Sequence, residues 1–320
     1  MTDTDTKSRY AGFCRAADAI ALALLLNTAL AQISPRVRQG VSNILADVGL
    51  QNGSNAYSYI TSIVSIILYC IVFFLPALFI FKYAPTDIKR INTSPVIPKK
   101  FPLTVIAVLG SIALSGRITV LITELLQKAG IGFISYGHEV SRDPLSIILL
   151  FISSAAVPAV TEELLFRKAV LERLAPYGNG FAVTVTAAAF ALMHTNPSQL
   201  LFTFTAGLLL GYITVNTGSV VPAVIIHFAN NALSIIYLVL REFTSDSFSS
   251  RTELAVDTLL MTAAVVILCF YAGMLYKKSR CPRRNPIVLD FSPSKKLFRV
   301  FTVGYIAYTL FLMTRWIYII

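Results

Sequence analysis

Three short stretches of the chain place proton-transfer groups inside apolar sequence. Glu162 and Glu163 are adjacent near the end of one apolar run, and Arg167 follows four residues after Glu163. His194 closes a second run four residues after Phe190, and His227 and Asn231 stand four apart in a third. Ionisable groups inside a bilayer are costly, so each asks for a function. A four-residue step keeps two side chains on one helical face. It suits a Glu163–Arg167 ion pair and points His227 and Asn231 the same way. Glu162, rotated about 100° from Glu163, faces a different neighbour. A carboxylate near two imidazoles and an amide suits peptide-bond hydrolysis. The glutamate activates water as a general base, while imidazole and amide N–H groups orient that water or stabilise an oxyanion. Two His and one Glu also make a catalytic zinc set, so Glu162, His194 and His227 are equally candidate metal ligands. HExxH is absent, so the soluble zincin arrangement is not available.

The elements that must position these groups are membrane helices. Hydrophobic residues make up 56% of the 320 residues and charged residues 13%, against roughly 25% charged in soluble globular chains. Mean hydropathy is +0.71. This excludes disorder, coiled coils and secreted disulfide scaffolds. A spanning helix needs roughly 20 apolar residues. Nine segments qualify, at 17–34, 57–81, 102–126, 144–166, 181–194 (short), 199–215, 219–240, 254–276 and 300–320. The expected fold is an all-α polytopic membrane protein, a bundle of about 8–9 transmembrane helices around a polar site. It divides into 1–140 without a recognised motif, a helix core at 141–240, and helices plus a basic loop at 241–320.

Glu162 and His194 are each sixteen residues from Gly178, so the two are level if both arms of that hairpin are straight helices. Counting from the nearest expected membrane entry gives about 8 Å of depth for Glu162, 12 Å for His227 and 20 Å for His194. With a cytoplasmic N-terminus, 19 Lys and Arg fall on the cytoplasmic side and 6 on the other, as the positive-inside rule requires. The net charge of +11 therefore reflects orientation rather than nucleic-acid binding. The first segment also resembles a signal peptide ending Ala29-Leu30-Ala31, a reading that Asp18 opposes. No CxxC pair occurs among Cys14, Cys70, Cys269 and Cys281, so neither a disulfide framework nor a thiolate metal site is expected.

Taken in order, Glu162-Glu163-Leu-Leu-Phe-Arg167, Phe190-Ala-Leu-Met-His194 and His227-Phe-Ala-Asn-Asn231 resemble the CPBP family of intramembrane proteases. That family includes the type II CAAX prenyl endopeptidases and abortive-infection or bacteriocin-immunity-like proteins. The likeness covers roughly 144–240, including Ala206-Gly207 to Gly211-Tyr212 and Thr217-Gly218-Ser219. Lys168 departs from it, where many members have Gly. The resemblance implies that Glu162 activates water with His194 positioning it. His227 and Asn231 then form the oxyanion hole, and Glu163 and Arg167 pair in support. Family members are described both as metalloproteases and as metal-free, so zinc stays an open cofactor here. Expected partners are a peptide or membrane-protein substrate and the lipid bilayer, with the oligomeric state unassigned. The expected location is a cell membrane, bacterial by its short loops.

Plainer readings stand beside these. Glu163–Arg167 also reads as a structural pair at a helix end, Phe190 as packing, and Asn230 has no assigned role. Arg117 and Glu124, seven apart, read as a buried pair or a substrate contact. Gly207 and Gly211 suit close helix packing. The alternatives to an endopeptidase are a non-proteolytic scaffold or immunity-type protein and a proton-coupled transporter. No rhomboid-type Gly-x-Ser-Gly or presenilin-type Gly-x-Gly-Asp occurs.

Overall fold

The computed structural model describes residues 3–50, 53–86, 91–134, 140–278 and 299–319. Most of the basic loop 277–299, with Cys281, lies outside them. The helices in chain order are α1 (Asp3–Asp47), α2 (Asn55–Tyr83), α3 (Phe101–Lys128), α4 (Pro144–Tyr177), α5 (Asn179–Met193), α6 (Leu200–Thr217), α7 (Val221–Phe243), α8 (Asp246–Lys278) and α9 (Val300–Thr314). Seven of these described helices are long and apolar enough to cross a membrane, and α5 and α9 are shorter apolar helices. Large apolar side chains such as Ile67, Leu78, Leu121 and Val266 are exposed on the bundle's outside, the surface expected of a protein solvated by lipid. The chain is a multi-pass membrane protein.

Local chemistry sets the helix ends. Asp143 caps α4 by accepting the Ser146 N–H at 2.8 Å, with Pro144 in the first turn. Ser54 caps α2 through the Tyr57 N–H. Gly218 ends α6 in the left-handed conformation, φ 65°, which glycine adopts without a Cβ clash. Within α4, Ile152–Ala156 winds as a π-helix. Pro158 has no N–H for the carbonyl four residues back, and its ring crowds that carbonyl, so the helix loosens there. A second π segment spans Leu164–Leu171.

The buried core joins α1, α2, α4, α5 and α9 through Phe13, Ile80, Phe166, Leu171, Phe190 and Tyr305. It draws on 1–140, 141–240 and 241–320 alike. Asn27 ties α1 to α2 by donating to the Val72 carbonyl at 2.9 Å. Further along the same antiparallel pair, Ser42 meets the Tyr57 hydroxyl at 2.7 Å. The α5–α6 crossing is closest at Gly207, where a Cβ would stand 2.9 Å from the Ala187 Cα. The Gly207–Gly211 spacing thus serves packing within the chain.

The structure corrects several sequence-based boundaries. The first segment, expected at 17–34, is part of α1 and runs through Pro35 to Asp47. The segment at 144–166 does not give way to a basic loop at 167–180. Helix continues to Tyr177 because its charges are neutralised in place. Lys168 pairs with Glu172 at 2.9 Å, and Arg173 donates to the Ala84 carbonyl at 2.9 Å. The segment at 300–320 is helical only to Thr314. Ile317–Ile319 instead pairs antiparallel with Ile131–Phe133, and Gly132 leaves room for the Tyr318 ring.

Candidate active site

Residues from all three motifs line one cavity of about 780 Å³ bounded by α1, α2, α4 and α7 and by the end of α5. Glu162, His194, His227 and Asn231 are among its walls, with Tyr69, Ser65, Ser153 and Ser154. Glu162 lies fifteen residues from the Tyr177 end of α4, or about 22 Å at 1.5 Å per residue. The cavity extends from there past Thr61, Ser34 and Arg38. That is the end of the bundle where Tyr59 donates to Asp143 and Arg142 pairs with Glu242.

The adjacent glutamates divide as their helical rotation requires. Glu163 and Arg167, 0% exposed, pair at 2.8 Å in mid-helix rather than at a helix end. The other Glu163 oxygen faces His227 Nδ1 at 3.0 Å. Glu162 instead turns to the cavity. Its Oε1 accepts from the Tyr69 hydroxyl, while Oε2 has no hydrogen-bond partner among the described residues. Oε2 stands 3.8 Å from His227 Nε2.

These contacts fix which atoms remain available. A carbonyl only accepts, so His194 Nδ1 carries the proton it shares with the Phe190 carbonyl at 2.9 Å. Neutral His194 therefore offers Nε2 as an acceptor. His227 Nδ1 likewise donates to the Glu163 carboxylate, so donation from Nε2 requires the doubly protonated ring. Asn230, given no role from sequence, donates from Nδ2 to the Asn231 Oδ1 at 3.3 Å. That leaves the Asn231 amide N–H groups for the cavity.

Phe190 organises the wall. Its ring meets His194 edge-on at 5.0 Å, His227 at 6.0 Å and Phe166 at 5.2 Å, and the Arg167 guanidinium lies 5.4 Å from its centre. Packing is thus its role, but packing of the site itself. After His194 the chain breaks. Thr195 takes φ 51°, and Asn196 is extended ahead of Pro197 and caps the next turn through Ser198. This kink holds His194 at the mouth of α5.

Among the described residues, no group of three or more His, Cys, Asp or Glu side chains is arranged to hold a metal ion. Glu162, His194 and His227 are each held through one atom, by Tyr69, the Phe190 carbonyl and Glu163 respectively, and each keeps a second ligating atom, Glu162 Oε2 and the two Nε2 nitrogens, outside those contacts.

Two groups fall differently from expectation. Arg117 pairs not with Glu124, which is exposed, but with Asp257 of α8 at 2.6 Å. Tyr69 carries no motif signal, since it is one of 14 tyrosines in an apolar chain.

A family model described as type II CAAX prenyl endopeptidase Rce1-like matches residues 144–233, from the start of α4 into α7. No curated protein and no solved structure matches the chain.

Proposed function

With residues 144–233 matching the type II CAAX prenyl endopeptidase Rce1-like family model, we propose that the protein is an intramembrane endopeptidase that hydrolyses a peptide or membrane-protein substrate with water activated by Glu162. One observation carries this reading. A buried carboxylate oxygen, Glu162 Oε2, stands without a partner at a cavity wall that also presents His194, His227 and Asn231. An unpaired buried acceptor is costly, and a water or substrate in the cavity satisfies it.

In this reading Glu162 takes a proton from the attacking water, which His194 Nε2 orients. As the carbonyl carbon becomes tetrahedral, its oxygen gathers charge opposite the Asn231 amide and the Nε2–H of protonated His227. Glu162 then gives the proton it took to the departing amine nitrogen as the C–N bond breaks and the carbonyl re-forms as a carboxylic acid. The Glu163 carboxylate holds the far side of the His227 ring, and Arg167 holds Glu163. These donors are preorganised, which is what makes such stabilisation effective.

The test is proteomics of membranes from cells producing the wild-type protein or Glu162→Ala, searching for new chain termini. Cleavage sites present only with the wild type support the reading, and identical termini in both reject it. The bilayer orientation belongs to the same proposal, with loop 82–100 cytoplasmic. A reporter fused at Ile97 that signals from the opposite face reverses it. Metal content is measured on chelator-washed protein. About one zinc per chain, lost in His194→Ala, would replace the metal-free scheme.

A further inference from the structure

The motif side chains of the site all lie within 144–233, yet Glu162 takes its hydrogen bond from α2. We propose that Tyr69 is a positioning residue for the catalytic carboxylate: its hydroxyl anchors one oxygen of Glu162 and thereby presents the other to the attacking water. This rests on the endopeptidase reading above and deepens it.

The Glu162 carboxylate sits on rotatable bonds beside a cavity of about 780 Å³. Without an anchor it rotates, and orientation is worth much of the rate in such reactions. Glu163, one residue on, is held from both sides by Arg167 and His227. Glu162 has one hydrogen-bond anchor among the described residues, the Tyr69 hydroxyl on Oε1. The consequence is an asymmetric carboxylate, with Oε1 engaged and Oε2 open toward His227 Nε2 at 3.8 Å.

Tyr69 is itself fixed. Its ring stacks on Phe73 with centroids 4.7 Å apart and 24° between planes, and Phe73 is buried. The backbone between them is pinned to α1, since Asn27 donates to the Val72 carbonyl. A buried tyrosine hydroxyl needs a hydrogen-bond partner, and a backbone carbonyl or a neighbouring hydroxyl would satisfy one that served packing alone. This one spends its hydroxyl on the residue assigned as general base, from a position 93 residues away in sequence.

The experiment uses the full chain in proteoliposomes and a quenched fluorescent peptide. The peptide spans a site cleaved by the wild type and spared by Glu162→Ala. Tyr69→Phe keeps the stack and removes the hydroxyl. The expected result is a fall in kcat of about 10- to 100-fold, the size of a lost hydrogen bond to a charged group, with KM and melting temperature unchanged. Glu162→Asp withdraws the carboxylate from the hydroxyl, so adding Tyr69→Phe to it should cause no further loss. Wild-type kcat in Tyr69→Phe overturns the assignment, as do losses that multiply in the double variant. A fall in melting temperature that accounts for the whole loss of activity marks Tyr69 as packing and also overturns it. If no peptide is cleaved in a Glu162-dependent way, the endopeptidase reading fails and this one falls with it. Glu162-dependent cleavage that ignores Tyr69→Phe removes the Tyr69 assignment alone.

Discussion

Two of the ion pairs carried by the spanning helices are built on different terms. Glu163–Arg167 lies within one helix, both side chains at 0% exposure, and its second carboxylate oxygen holds a catalytic-site imidazole. Arg117–Asp257 joins α3 to α8 across 140 residues. Its arginine side chain is 37% exposed toward a cavity of about 330 Å³, and the Tyr237 hydroxyl and Glu253 complete the cluster. The first is dry and every contact leads toward the site. The second is open on one side and leads between helices. Burial, not the presence of a pair, decides how much of the protein depends on it.

The comparison is sharpened first at Glu162, the neighbour that belongs to neither pair. Glu162→Gln keeps size and hydrogen-bonding capacity but removes the base. Cleavage of a substrate peptide should fall about 10²–10⁴-fold, with the detergent melting temperature nearly unchanged. Near wild-type cleavage would end the general-base assignment.

Breaking the two pairs is the direct contrast. Arg167→Ala strands a fully buried carboxylate, which costs about 3–5 kcal/mol, so the variant should accumulate poorly and lose activity together. Arg117→Ala leaves Asp257 beside Tyr237 and an open cavity. The loss there should be smaller than in Arg167→Ala, because the Tyr237 hydroxyl still donates to Asp257, with cleavage retained. Equal destabilisation of the two variants in a thermal assay would erase the distinction drawn from burial.

The smallest effect concerns a charge outside the membrane. Asp143 accepts the Ser146 N–H and the Tyr59 hydroxyl, and the backbone bond chiefly holds its carboxyl below the usual carboxylate value. A depressed folded value means that its stabilisation is present well above the ordinary 3.8 and disappears as the pH falls through the folded value. Asp143→Asn retains the capping oxygen and should flatten the acid limb of a melting-temperature profile. An unchanged acid limb would show that Asp143 contributes nothing to it.

The contrast also explains what the sequence revealed. Glu163–Arg167 was legible because four-residue spacing is a local property of a helix. Arg117–Asp257 was not, and the local rule misdirected Arg117 to Glu124. The same locality made the three motifs readable and hid Tyr69, whose contact with Glu162 depends on how two helices cross. The stretch 167–180 misled for a different reason. Lys168 and Arg173 look like loop charges until Glu172 and the Ala84 carbonyl are placed beside them. Nearly all helices announced themselves by hydropathy. The 317–319 strand did not, because an apolar Ile-Tyr-Ile run reads the same in a helix and a strand.

The α5–α6 crossing has a consequence for how the protein tolerates change. A single hydrogen atom at Gly207 is all the clearance that the Ala187 backbone allows. Ala187 lies seven residues, two helical turns, before His194 on α5. Every other residue type at 207 acts as a wedge driven under the helix that aims that imidazole. In a saturation scan, position 207 should read as nearly intolerant although it touches neither the cavity nor any motif side chain. A graded series of Ala, Ser and Val there would serve as a dial on the placement of His194.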